Sequence, residues 1–272
     1  MTASPRTIDA DAVSPEFLAA IESRAAAGDP KAMFDLGRLH DIPEKAGIAL
    51  DLVRARAWYE RAAEAGFAWA QFALGNMLEK AQGGARNDTG ARRWYEAAAQ
   101  QGIAEAQMHL GSLLRAGRGG PADAAGAAEW FRRAAAQGHE LAATNLALMH
   151  LESATDRPDL EEARRLLEFA ADKLDGLAHL VLGDLHLRGI GGPRHGGLAL
   201  MHYCVATLLL RAGPDAVRAG GEKEALLARQ PALRAEYETQ ARAFVDARIA
   251  AMGGLAVDRR PPPGAPGKDI SQ

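Results

Sequence analysis

The feature that most constrains this chain is a repeat with a period of 36 residues. An alanine stands four residues before a Leu-Gly pair in four of five repeats, and Leu-Ala replaces the pair in repeat four. The five pairs are Leu36-Gly37, Leu74-Gly75, Leu110-Gly111, Leu146-Ala147 and Leu182-Gly183. Residues four apart share one face of a helix, so this pattern predicts the first helix of each repeat.

A second set of residues has the same period and predicts a second helix. Each repeat has a pair of large residues, with an alanine three residues before and another four residues after its first member. The pairs are Trp58-Tyr59, Trp94-Tyr95, Trp130-Phe131, Leu166-Leu167 and His202-Tyr203. We expect one aromatic ring to fill the space between the alanines, and in repeat two this is Trp94, between Ala91 and Ala98.

Short polar residues and glycines mark the ends of the second helices. Asp and Asn side chains accept hydrogen bonds from the free N–H groups of a helix start, which predicts four N-caps: Asp51, Asn87, Asp123 and Asp159. His195 takes the fifth position as a weaker cap. Left-handed glycines are expected to end three of the helices: Gly66, Gly102 and Gly138.

The glycine of the Leu-Gly pair requires a compensating contact. Glycine inside a helix costs about 1 kcal/mol relative to alanine. Since the glycine recurs in four repeats, we expect it to permit close approach of the partner helix. A helix pair with Ala and Gly at its seam cannot bury that face alone, so the pairs are expected to stack.

The unit A-x-x-x-L-G-x-x-[Y/H], a Gly-rich turn, then D-x-x-x-A-x-x-W-Y-x-x-A-A-x-x-G resembles the Sel-1-like repeat family of tetratricopeptide-type proteins. The resemblance covers about Asp29 to Thr207. Repeat four departs from it by lacking the glycine and the Trp-Tyr pair, and repeat five lacks the closing glycine. The resemblance implies an all-α fold, a right-handed α/α superhelical solenoid of about five helix-turn-helix repeats with capping helices.

Five segments follow along the chain. Residues 1–13 are expected to be disordered, and 14–28 to form an N-terminal capping helix that starts at Ser14-Pro15. Residues 29–212 hold the repeat array, and 213–252 hold C-terminal capping helices at 222–229 and 231–252, after a break at Gly220-Gly221. Residues 253–272 form a disordered tail rich in proline and glycine.

Composition argues against several classes of partner. The net charge is −3 and no Lys/Arg stripe is present, which argues against nucleic acid. No apolar run approaches the roughly 20 residues that span a bilayer, so no membrane insertion is expected. With no secretory signal at the N-terminus, the expected location is cytoplasmic.

The lone Cys204 excludes an internal disulfide and is expected to be a buried, inert thiol.

No catalytic pattern is found, so we expect neither an enzyme nor a cofactor. The eight histidines lack H-E-x-x-H spacing, and packed or capping roles are favoured over a metal site. The leading hypothesis is a protein-interaction scaffold or adaptor with a regulatory role. One alternative is an enzymatic or metal-dependent activity in the divergent repeat five, at His179, Asp184, His186 and His202. Another is a module that binds a small ligand or a cell-wall fragment.

The resemblance to tetratricopeptide-type repeats also implies a binding groove on the concave face, at positions two before the Leu and one after the Gly. Some of these residues can equally be core, since a Phe on a helix is more often packed than exposed. An extended peptide or an amphipathic helix from a protein partner would suit the row. The groove positions are Phe34, Arg38, Phe72, Asn76, Met108, Ser112, Thr144, Leu148, Leu180 and Asp184.

Overall fold

The computed structural model describes residues 14–41, 49–153, 157–210, 213–228 and 234–252. Within these residues the chain is helical and forms no strand, which confirms the predicted all-α class. The segments predicted to be disordered, 1–13 and 253–272, lie outside the described residues. The chain divides into two compact units, Met1–His139 and Glu140–Gln272.

The first unit contains seven described helices, each packed on the next. They are α1 Pro15–Ala26, α2 Pro30–Asp41, α3 Leu52–Glu64, α4 Ala68–Glu79, α5 Asp88–Gln100, α6 Ala104–Ala116 and α7 Ala124–Ala136. Helices α2 to α7 are the helix pairs of repeats one, two and three. Helix α1 begins at the predicted cap, where the Ser14 hydroxyl accepts the Phe17 N–H at 3.2 Å.

The second unit contains six described helices. They are α8 Glu140–Ser153, α9 Arg157–Asp172, α10 Gly176–Arg188, α11 Gly196–Leu209, α12 Pro214–Leu227 and α13 Arg234–Ala251. Helices α8 to α11 form repeats four and five, and α12 and α13 both pack on α11. Helix α12 runs through Gly220 and Gly221, where the sequence predicted a break.

The predicted caps are confirmed at four of five positions. Three of them accept a backbone N–H of the following helix at 2.8–2.9 Å: Asp51, Asn87 and Asp123. His195 Nδ1 accepts the Leu198 N–H at 3.1 Å. The prediction for Asp159 was wrong, because α9 starts earlier and Asp159 lies in its first turn. The three closing glycines are left-handed, with φ of +86°, +90° and +93° at Gly66, Gly102 and Gly138.

The predicted close approach at the Leu-Gly glycines is also confirmed, and an aromatic ring makes it. In four repeats, a Cβ built on the glycine would lie 2.6–2.7 Å from the nearest ring atom of the second helix. The ring therefore packs directly on the backbone of the first helix. The four glycine–ring pairs are Gly37–Tyr59, Gly75–Tyr95, Gly111–Phe131 and Gly183–Tyr203.

The choice of the core aromatic in repeat two was wrong. Tyr95, the second member of the pair, is fully buried. Trp94 is partly exposed, and the Arg93 guanidinium lies over its ring at 4.6 Å from the centroid. Both residues recur every 36 positions, so periodicity alone does not distinguish the buried member of the pair.

Candidate functional site

The candidate site in the first unit is an aromatic cluster around Phe72 on α4. Its ring centroid lies 6.0 Å from that of Tyr95 and 5.7 Å from that of His109. Trp69 meets the Phe72 ring edge-on at 6.1 Å, and His109 stacks on Tyr95 at 5.1 Å. Phe72 is only partly buried, so residues from α4, α5 and α6 support an aromatic ring that remains accessible to solvent.

A network of charges supports this cluster. The buried Tyr95 hydroxyl donates to Glu79 Oε2 at 2.8 Å, and Arg118 Nη1 donates to Glu79 Oε1 at 2.8 Å. Arg118 also makes two bonds to Asp88, at 2.9 and 3.2 Å. Hydrogen bonds from Arg86 and Arg118 hold the pKa of Asp88 well below its usual range. These ion pairs join the end of α4, the start of α5 and the turn after α6.

The groove positions of the first unit divide by burial. Phe34 is 4% exposed, because its ring packs on Tyr59 and Phe67 at centroid distances of 5.5 and 5.2 Å. The other five positions are partly exposed: Arg38, Phe72, Asn76, Met108 and Ser112. Met108 and Ser112 lie on adjacent turns of α6, and the Ser112 hydroxyl donates to the Met108 carbonyl at 3.1 Å.

In the second unit, Thr144 and Leu180 are buried. The Thr144 hydroxyl donates to the carboxylate of Asp175, the N-cap of α10. Leu148 and Asp184 are partly exposed, and Asp184 accepts the Tyr203 hydroxyl at 2.8 Å. Of the ten predicted positions, the buried ones are Phe34, Thr144 and Leu180, and binding at the others stays a prediction.

Sequence reasoning missed a pair of buried glutamines on the first helices. Gln71 Nε2 donates to the Ala63 carbonyl at 3.2 Å, and Gln71 Oε1 accepts from Gln101 at 2.8 Å. Gln107 repeats the pattern one period later, with the Ala99 carbonyl at 3.1 Å and Gln137 at 2.8 Å. We call these four side chains the glutamine ladder. Their spacing of 36 residues was the signal that could have revealed them.

Repeat five places a histidine, His179, at the position of Gln71 and Gln107 in the ladder. His179 Nε2 lies 3.2 Å from the Ala171 carbonyl oxygen, and His179 Nδ1 lies 2.9 Å from His202 Nδ1. The His186 ring stacks on His202 at 5.4 Å. Burial lowers the pKa of His179 to about 4 and that of His202 to about 3, so both rings are neutral at pH 7.

The fourth member of the alternative site does not join this cluster. The Asp184 carboxylate accepts from Tyr203 and pairs with Arg218 at 3.4 Å. Among the described residues, no group of three or more His, Cys, Asp or Glu side chains could hold a metal ion. Cys204 is buried as predicted, and burial raises the pKa of its thiol to about 11.

Comparison with known proteins identifies the family. The Sel1 repeat model matches five consecutive segments, residues 30–67, 70–103, 104–139, 141–173 and 176–207. The chain belongs to the Sel1 repeat family. Sel1 repeat proteins generally mediate protein–protein interactions and are typically non-catalytic scaffolds. No curated protein sequence matches this chain significantly.

Two solved structures show the same repeat fold. A Sel1 repeat protein from Oxalobacter formigenes is 31% identical, with a TM-score of 0.65 over 72% of this chain and 80% of that chain. The protective antigen c5321 from uropathogenic Escherichia coli strains, which displays an SLR fold, is 24% identical. Its TM-score is 0.70, over 93% of this chain and 55% of that chain. No helix in the described part of this Sel1 repeat protein is long and apolar enough to cross a membrane.

Proposed function

We propose that this Sel1 repeat protein is a cytoplasmic, regulatory scaffold without catalytic activity, and that its first unit binds a peptide or a helix of a protein partner. The observation that carries the proposal is the Phe72 cluster. An aromatic side chain that is fixed before binding loses little conformational entropy when a partner covers it. Phe72 has this property, because Trp69, Tyr95 and His109 already hold its ring.

The neighbouring groove positions supply the other contacts of the proposed interface. Met108 on α6 offers a flexible apolar surface that can adapt to different side chains. Asn76 and Ser112 stand one helical turn after Phe72 and Met108, respectively. Because Asn76 Oδ1 is buried, the polar groups proposed to meet a peptide backbone are the Asn76 amide nitrogen and the Ser112 hydroxyl. Interfaces commonly combine a few buried apolar anchors with a polar surround, which is the arrangement proposed here.

The test uses peptides selected from a displayed random library on the wild-type protein. Affinities of the selected peptides are then measured for the wild type, for Phe72→Ala and for the control Val53→Ala. Val53 is an apolar residue on α3 that is 67% exposed and lies outside the predicted groove. Phe72→Ala should weaken binding by about 30-fold, whereas the control should bind like the wild type.

Thermal melting of the same variants separates binding from folding. If Phe72→Ala melts like the wild type and binds the peptides equally well, the proposed face is wrong. If Phe72→Ala does not fold, the measurement moves to Met108→Ala, which removes a partly exposed side chain from the same face. Undiminished peptide binding by a folded Met108→Ala would then count against the proposal.

A further inference from the structure

A cavity of about 190 Å³ lies in the second unit, among helices α9, α10, α11 and α13. Its walls are largely apolar and include Leu182, Met201, Val205 and Phe244. The imidazoles of His179 and His202 also form part of the lining. An apolar cavity of about 150 Å³ holds a benzene molecule, so the space here suits one aromatic ring with a small substituent.

The hydrogen bonds fix the proton positions on the two imidazoles. The Ala171 carbonyl only accepts, so the nitrogen near it, His179 Nε2, carries a proton. A neutral imidazole has one N–H, which leaves His179 Nδ1 as an acceptor for the Nδ1–H of His202. His202 Nε2 therefore keeps a bare lone pair. Within the described residues, no hydrogen bond is made to this nitrogen.

The glutamine ladder has the same sequence of donors and acceptors as the one inferred for the two histidines. Gln71 and Gln107 stand at the position of His179 in their repeats, and each also donates to the carbonyl oxygen eight residues earlier. The Gln101 amide donates both to Gln71 and, at 3.2 Å, to the Gly66 carbonyl. In repeat five, the hydrogen bonds run from the Ala171 carbonyl through His179 to His202. The last ring nitrogen, His202 Nε2, can still accept a hydrogen bond, and His202 lines the apolar cavity.

We propose that this cavity binds a small, neutral aromatic molecule with one N–H or O–H donor, such as a phenol or an indole, and that His202 Nε2 accepts the donor. The charges around the cavity favour a neutral ligand over an aromatic acid. Glu168 and Asp172 also line it, and both are exposed carboxylates. Arg248 pairs with Asp172 at 2.5 Å and lies over the Phe244 ring, which leaves Glu168 to repel an anion.

The experiment compares phenol with toluene, which has similar shape but no hydrogen-bond donor. The full-length protein, labelled with ¹⁵N, is titrated with each compound while the imidazole nitrogens are followed by long-range ¹H–¹⁵N spectra. Phenol should bind about tenfold more tightly than toluene, because toluene leaves the acceptor unpaired. Phenol should also shift the His202 Nε2 resonance, and benzoate should bind more weakly than phenol.

Three variants make the test specific to His202. In His202→Phe the acceptor is lost, and the preference for phenol over toluene should fall to about twofold or less. Val217→Ala is the control, since Val217 on α12 of the same unit is 77% exposed and does not line the cavity. It should keep the preference. Met201→Trp should fill the cavity and abolish binding of both compounds.

Two results would overturn the proposal. One is the absence of saturable phenol binding to the wild type, or equal affinity for phenol and toluene. The other is a preference for phenol that survives in folded His202→Phe. If His202→Phe fails to fold, as judged by circular dichroism, the His202 Nε2 shift in the wild type and its absence in Met201→Trp decide the question. Phenol binding without that shift, or unchanged in Met201→Trp, would place the ligand elsewhere.

Discussion

A Cβ on Gly75 would lie 2.7 Å from two ring carbons of Tyr95, closer than real Cβ atoms come to their neighbours. The Tyr95 ring on α5 packs directly on the backbone of α4, and the Tyr95 hydroxyl donates to Glu79, which also lies on α4. This contact explains a glycine in the middle of a helix, where alanine would otherwise be preferred by about 1 kcal/mol.

Gly75→Ala should therefore destabilise the protein by about 1–3 kcal/mol, because the added methyl overpacks the buried ring. Gly220→Ala is the control, since Gly220 also lies inside a helix but a Cβ added there would have no neighbouring atom within 4 Å. It should stabilise the protein by up to about 1 kcal/mol through helix propensity alone. Urea unfolding of both variants measures the difference, and equal effects of the same sign would refute the packing explanation.

Truncation of the two aromatic residues of repeat two should have unequal effects. Tyr95→Ala removes a fully buried ring and should cost about 3–5 kcal/mol. Trp94→Ala removes a partly exposed ring covered by Arg93 and should cost less than about half as much. The comparison uses the free energy of unfolding of each variant. A larger loss for Trp94→Ala would mean that Trp94, not Tyr95, dominates the core of this repeat.

Repeat four provides a reciprocal test of the same contact. Ala147 and Leu167 are both fully buried, and they occupy the positions of the glycine and the ring in the other repeats. Leu167→Tyr alone should be destabilising by about 1–3 kcal/mol, since Ala147 leaves no room for a ring. Adding Ala147→Gly should recover about 1 kcal/mol or more of that loss. Additive effects in the double-mutant cycle would show that the two positions do not contact each other.

The sequence predicted the repeat fold and most caps because those features depend on spacing and local chemistry. It predicted the glycine contact but not the identity of the ring, since Trp94 and Tyr95 share one period and only their orientation on α5 separates them. The groove positions were predicted only from their offset to the Leu-Gly pair. Burial of Phe34 beneath Phe67 depends on a residue outside the repeated motif, so the register did not reveal it.

Acidification should destabilise the second unit through its two buried histidines. In the unfolded chain both protonate near their ordinary pKa of 6.5, whereas in the folded chain the pKa of His179 is about 4 and that of His202 about 3. Below about pH 6.5 the unfolded state therefore binds more protons, and stability falls by up to roughly 3 kcal/mol per pH unit for two protons.

His179→Gln removes one of these protons and keeps the hydrogen-bonding pattern. Between about pH 6 and about pH 5, the histidine contribution to the slope of unfolding free energy against pH should be about half as large in the variant as in the wild type. Urea unfolding at several pH values measures both slopes, and groups that titrate in both proteins cancel in the difference. Identical slopes would show that His179 is protonated equally in the folded and unfolded chains.

The glutamine ladder has a consequence for how the first unit comes apart. Gln107 is bonded to the carbonyl of α5 and to the residue that closes α7, so these three helices share one buried amide. Gln71 joins α3, α4 and the end of α5 in the same way. Detaching one helix leaves buried amide groups on its neighbours without partners. The ladder thus extends cooperativity beyond adjacent helices, and opposes fraying of the array one helix at a time.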